Sequence, residues 1–160
     1  MRQTIIITVL TIALTISILI ITPNGAVQEI TQFKVLWQDK SFLSILVPPK
    51  TTNEQLKALI YEFRKARKGN FLSKWFSPTT PGLSNKYALI YIYVFSESEW
   101  ATKDKLDRYY TLSVDQRFSM EYVKHIRALY YCDFLNSSKE EGSLGDTNGV
   151  ARSPFYKKLF

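Results

Sequence analysis

The sequence predicts an α+β fold: an N-terminal transmembrane or signal helix, then a small, mostly antiparallel sheet covered by two helices, in the order β-β-α-β-α-β. Three observations carry this expectation. Residues 4–22 form an uncharged run of Ile, Leu, Val, Ala, Thr and Ser, close to the roughly 20 apolar residues that cross a bilayer core as a helix. Two later segments, 53–68 and 97–112, carry apolar residues at helical spacing behind capping signals. The runs around them are rich in β-branched and aromatic residues, and they alternate or are apolar throughout, as strands do.

The apolar run sets location. Its hydroxyls can bond back to carbonyls one turn earlier, so they do not forbid a membrane helix. Arg2 precedes it, and no base follows until Lys34, so the positive-inside rule turns the C-terminal part outward. The run exceeds the 7–15-residue core usual in a cleaved secretory signal, which favours an uncleaved anchor. Pro23-Asn24-Gly25-Ala26 breaks the helix, and cleavage near Ala26 is the alternative, giving a secreted or periplasmic domain. Residues 1–26 are therefore the anchor or signal, 27–32 a spacer, 33–135 the globular domain and 136–160 a loop-rich tail.

Within the domain, residues 33–38 set Phe33, Val35 and Trp37 against Lys34, Leu36 and Gln38, and residues 42–47 place Leu43, Ile45 and Val47 on one face. The short break Asp39-Lys40-Ser41 makes the pair an antiparallel hairpin. Pro48-Pro49 ends it, because proline offers no ladder donor. Thr51-x-x-Glu54 and Thr52-x-x-Gln55 both fit a capping box for the first helix. Leu56, Leu59, Ile60 and Phe63 share one of its faces. Lys65, Arg67 and Lys68 crowd its last turn, where cations suit the dipole, and Gly69-Asn70 stops it. Residues 71–86 form a long connection.

Residues 87–95 are apolar on both faces and predict a central strand. Ser96-x-x-Glu99 predicts the start of the second helix, with Trp100, Leu106, Tyr109 and Tyr110 on its inner face. Residues 113–117 read as a loop. Residues 120–134 fit both a strand alternation and a helical face; the strand is the reading adopted. Residues 136–149 are rich in Ser, Gly and Glu and read as loop.

The chemistry is bounded mainly by exclusion. A lone cysteine, Cys132, cannot form an intramolecular disulfide, and its aromatic neighbours predict burial. One histidine, His125, and one cysteine cannot supply a usual zinc ligand set, so neither metal nor cofactor is expected. No nucleophile elbow, phosphate-binding loop or dinucleotide fingerprint occurs. The expected role is therefore contact with an unidentified protein partner or the cell envelope, with the membrane reached through residues 4–22, and not catalysis.

Two alternatives stand beside it. One is an exported enzyme built from dispersed carboxylates (Glu140-Glu141, or Glu97, Glu99, Asp104 and Asp107) and tyrosines. The other is an anionic-lipid surface binder through 64–76. There Arg64, Lys65, Arg67, Lys68 and Lys74 supply charge, while Trp75 and Phe76 supply interfacial rings. The plainer reading of that stretch is a solvated helix end followed by aromatics packed on the core. The net charge of +7 admits nucleic acid, but an outward-facing domain without a recognition motif disfavours it. Tyr91, Tyr93, Tyr130 and Tyr131 are candidates for a peptide or glycan groove, since tyrosine combines rigid area with a polar tip; packing within the sheet is the plainer role. Asn136-Ser137-Ser138 matches a glycosylation sequon, relevant only in a eukaryotic secretory pathway.

Overall fold

A computed structural model describes residues 32–111 and 115–160, together with the backbone of 19–21 and 27–29. Strand β1 (Leu19–Ile21) pairs antiparallel with β2 (Val27–Glu29). The rest of the 4–22 run, and with it the expected membrane helix, lies outside the described residues. No helix among the described residues is long and apolar enough to cross a membrane.

The remaining strands are β3 (Lys34–Asp39), β4 (Phe42–Leu46), β5 (Leu89–Phe95), β6 (Ala128–Asp133), β7 (Lys139–Leu144) and β8 (Lys157–Lys158). They form one sheet in the order β3-β4-β5-β6-β7-β8. Only β4 and β5 run parallel; the other neighbours are antiparallel. The parallel step follows from the crossover through α1 (Asn53–Lys68), since parallel neighbours need a connection longer than a hairpin. The fold is thus mixed α+β, a six-stranded sheet with three helices.

The strand alternation of β5 builds two cores. Ile90, Ile92 and Val94 point to one face, with Leu43, Ile45 and Val47, and meet Leu56, Leu59, Ile60 and Phe63 of α1. Tyr93 and Phe95 point to the other, where they meet Leu106 and Tyr109 of α2 (Lys103–Tyr110) and Tyr122 of α3 (Gln116–Tyr122). The helices therefore cover both sheet faces. Each fully buried large apolar side chain contributes about 1.5–3 kcal/mol of transfer free energy, so the central strand is stabilised from both sides.

Several elements depart from expectation for identifiable reasons. A bulge between Val35 and Trp37 shifts the β3 register, so Val35 opposes Ile45 but Trp37 opposes Ser44. Trp37 thereby joins the opposite face from Phe33 and Val35. There its indole Nε1 donates to the Ala101 carbonyl at 2.6 Å, an oxygen that also accepts from Ser44 Oγ at 3.0 Å. The 97–101 segment is held as turns, with Trp100 N–H on Glu97 O and Ala101 N–H on Ser98 O. The Ser96-x-x-Glu99 box does not open α2; Thr102 is its N-cap. Gln116 and Arg117, expected in a loop, begin α3, capped by the Asp115 carboxylate accepting from Phe118 N–H. The ambiguous 120–134 segment divides: α3 ends at Tyr122, and β6 begins at Ala128.

Within residues 136–160, expected as a loop-rich tail, β7 and β8 complete the sheet. Gly142 makes this possible. A Cβ there would lie 2.5 Å from Ile60 Cγ2 and 2.6 Å from the Phe160 ring, so the strand can lie against α1 and the C-terminal aromatic only with no side chain at that position. The first helix follows its signals closely. Thr52 and Gln55 form the reciprocal capping box, while the Thr51 hydroxyl donates to Pro48 O instead.

Candidate functional site

On the sheet face covered by α2 and α3, a cavity of about 300 Å³ opens beside the helices. That is the lower end of the range for small-ligand sites. Six of the chain's ten tyrosines line it. Tyr91 and Tyr93 come from β5 and Tyr131 from β6. They share a face because they occupy alternate positions, and Tyr91 sits directly opposite Tyr131 in the ladder. Tyr109 and Tyr110 come from the last turn of α2, and Tyr156 from the segment before β8. Glu141 and Ser143 of β7 add polar wall, as do Asp146, Thr147 and Asn148 of the following loop.

The rings brace one another. Tyr91 stacks on Phe42 at 4.6 Å between centroids, meets Tyr131 at 4.6 Å, and lies edge-on to Tyr110 at 5.8 Å. Aromatic pairs at these spacings add about 0.5–1.5 kcal/mol each beyond burial, so the wall is rigid. The Tyr93 hydroxyl donates to that of Tyr110 at 3.0 Å. Burial, with Asp146 and Tyr131, pushes the Tyr110 phenol up to about 12; burial likewise raises Tyr91, Tyr93 and Tyr109, with Asp146 adding to it at Tyr93 and Tyr109. These groups are neutral phenols at physiological pH, equipped for stacking and hydrogen bonding and not for acting as phenolate bases.

Asp146 is the chemical centre of the wall. It is 5% exposed. Its Oδ2 accepts from the Tyr109 hydroxyl at 2.9 Å and its Oδ1 from the Thr147 N–H at 2.7 Å. Burial raises its pKa above the ordinary carboxylate range, against the opposing effect of those two donors. Among the described residues no cation is among the groups that shift it. Its loop is pinned from below. Asp146 N–H donates to Ser153 Oγ at 2.9 Å, which in turn donates to Val123 O at 2.7 Å. Gly145, at φ +64°, makes the turn out of β7, and a Cβ there would meet Ser153 Cβ at 2.5 Å. Asn148 Oδ1 accepts from the N–H groups of Val150 and Ala151, while among the described residues its buried Nδ2 has no hydrogen-bond partner.

The candidate tyrosines thus divide. Tyr91, Tyr93 and Tyr131 meet at the cavity. Tyr130, one residue along β6, points to the opposite face, where its hydroxyl donates to Glu140 Oε1 at 2.9 Å. Glu140 and Glu141 separate in the same way. Tyr109, Tyr110, Tyr156, Ser143, Asp146 and Asn148 were not singled out as site residues from sequence. Tyr109 and Tyr110 at adjacent helix positions were the available signal.

The basic-aromatic stretch lies on the other face. Arg64 Nε and Arg67 Nε bond Glu140 at 3.1 and 2.9 Å, and Lys68 Nζ is 3.9 Å from the same carboxylate. Lys65 lies 3.8 Å from Glu62, and Lys74 sits over the Phe71 ring. Phe76 is 3% exposed, and Trp75 packs beside it against Phe33 and Phe63. This is the arrangement of a helix end followed by core-packed aromatics.

Among the other candidates, His125 stacks on Trp100 at 3.8 Å, with Nδ1 2.8 Å from Glu97, at the surface. Asp107 pairs with Lys103. Cys132 is fully buried, and burial pushes its thiol up to about 12, leaving it inert. Among the described residues no group of three or more His, Cys, Asp or Glu could hold a metal ion. Compared with protein-family models, curated proteins and solved structures, the chain matches none.

Proposed function

We propose that this chain is a non-catalytic binding domain whose ligand enters the tyrosine-walled cavity. The observation that carries this reading is the convergence of six tyrosines from two strands, a helix and a loop on one cavity with a buried carboxylate. Side chains that served only the core would close over one another, since interiors pack without voids much larger than water. Neutral phenols around a buried acid, with Glu141 paired to Lys158 and the Ser143 hydroxyl donating to Gly145 O, suit recognition better than turnover.

The domain is tethered outside the cytoplasm by residues 4–22, a location supported by the uncharged run and the single base before it. Cleavage near Ala26 gives the secreted form of the same binding domain. Intact mass of the extracted protein decides between them; a mature chain beginning near Val27 removes the anchor.

The binding reading is tested by thermal melts of the full chain against sugars, amino acids, polyamines and alkylammonium salts. A ligand that binds only the folded state raises the midpoint. At least one class is expected to do so in the wild type and to lose most of the effect in Tyr110→Ala. Midpoint rises of equal size in the wild type and Tyr110→Ala, or none in either, overturn the reading.

A further inference from the structure

We infer that the cavity's ligand is a small organic cation, an alkylammonium group held by ring faces and by Asp146. The inference rests on the binding reading above and adds the class of ligand.

The first observation is charge. The chain carries a net +7, yet among the described residues those lining the cavity include two carboxylates, Asp146 and Glu141, and no Lys, Arg or His. The sign of the cavity is opposite to that of the protein around it. Clefts lined by one sign of charge concentrate the opposite ion.

The second observation is the state of Asp146. Glu141 already has a cation, Lys158 Nζ at 3.3 Å. Among the described residues Asp146 has only a phenol and a backbone N–H as partners, although it is 5% exposed. A buried carboxylate without a countercharge is costly, and proteins ordinarily pair it. Among the described residues each of its oxygens accepts a single hydrogen bond, and Asp146 lines the cavity.

The third observation is the wall. A cation over an aromatic face is attracted by the ring quadrupole, and tyrosine serves well. Several phenol hydroxyls are spent internally, Tyr93 on Tyr110 and Tyr109 on Asp146. These bonds leave a ligand π surface and one carboxylate that no cation neutralises among the described residues, beside the polar groups of Ser143, Thr147 and Asn148. A sugar would need many free donors and acceptors; a methylated ammonium needs none.

The test uses the full chain in a non-ionic polyoxyethylene detergent, with tyrosine rings isotopically labelled for NMR. Choline chloride is titrated against its neutral isostere 3,3-dimethylbutan-1-ol, and glucose forms a third arm. Choline is expected to shift Tyr91, Tyr110 and Tyr131 saturably and to bind at least ~10-fold tighter than the isostere, the scale of a desolvated cation–π contact. Asp146→Asn should erase most of that ratio while the folded spectrum persists. Tyr110→Leu, at a 40%-exposed position, should weaken choline several-fold without loss of fold.

Equal affinity for choline and the isostere, or an unchanged ratio in Asp146→Asn, overturns the inference. Glucose shifting those rings while choline does not overturns the cation and leaves the binding reading standing. No shift from any of the three also removes the cation, and the wider melt series then judges the cavity by itself.

Discussion

Glu140→Ala is the sharpest test of how the C-terminal strand is held. Glu140 sits on β7 with its side chain 10% exposed, as is that of Arg67. Arg64 Nε, Arg67 Nε and the Tyr130 hydroxyl all donate to it between 2.9 and 3.1 Å. Removing the carboxylate leaves Arg67 buried without its counterion. Breaking a buried pair costs about 3–5 kcal/mol. Arg64 is 32% exposed and can rehydrate, which places the expected loss at the low end, about 3 kcal/mol. For a domain of this size that lowers the thermal midpoint by roughly 10 °C.

The assay is urea unfolding of the full chain, followed by tryptophan fluorescence and circular dichroism. A second variant, Glu140→Leu with Arg67→Leu and Tyr130→Phe, removes the buried members of the polar group, leaves the more exposed Arg64 and Lys68 to water, and should recover to within about 1 kcal/mol of the wild type, since apolar replacement of a buried pair is often neutral. The pH dependence has a defined sign. Burial alone would raise the Glu140 pKa, but Arg67, Tyr130 and Arg64 outweigh it and hold it below 4.5. A carboxyl with a lowered folded pKa contributes stability above its unfolded value, and the contribution is lost as pH falls through the folded one. The difference between wild type and Glu140→Ala should therefore be full at pH 7 and shrink below about pH 4. A loss under about 0.5 kcal/mol, the size expected of an ordinary surface change, refutes the reasoning, because a strand not held to α1 would give that result.

Further outcomes follow from single positions. Asp146→Asn should reverse the acid behaviour: burial raises the native carboxyl, so its contribution is present below the unfolded value and lost as pH rises through the raised folded one. Urea midpoints between pH 4 and 7 should fall with pH more in the wild type than in the variant, and parallel curves argue against that burial. Gly145→Ala should cost at least about 1–3 kcal/mol for strain at a positive φ, with the Ser153 contact adding to it, while Gly149→Ala, with open space around the Cβ, should cost less in the same melts. Thr52→Ala removes the α1 cap and should cost about 1 kcal/mol; a change within error would mean the box does not hold in solution.

What was legible in the sequence tracks how local each cause is. The α1 cap, its apolar face and its basic last turn lie within a few residues of one another, and so does the alternation of β4. Trp37 was misplaced because a bulge reverses side-chain direction without any change in hydrophobic pattern. The second helix starts late because the Ala101 carbonyl is held by Trp37 and Ser44, some 60 residues away, and no capping rule sees that. β7 hides behind its polar composition. The Glu140 side chain is largely covered only because Arg64 and Arg67 reach it across the fold, and Gly142 marks a close approach and not a turn. For the cavity, the strand tyrosines were visible as a group. Period-two alternation separates Tyr130 from Tyr131, but their meeting with Tyr109, Tyr110 and Asp146 is made only by packing.

The central claim, that the tyrosine-walled cavity is a binding site, is tested most directly by locating a bound ligand. The measurement is a tyrosine-ring NMR map of the full chain with whichever compound raises its melting midpoint most. The account predicts shifts concentrated on Tyr91, Tyr93, Tyr110 and Tyr131, with Tyr61, Tyr87 and Tyr130 unmoved on the opposite face and in the neighbouring loop. Shifts centred on Tyr61 and Tyr130, beside the Arg64 and Arg67 cluster, would contradict it.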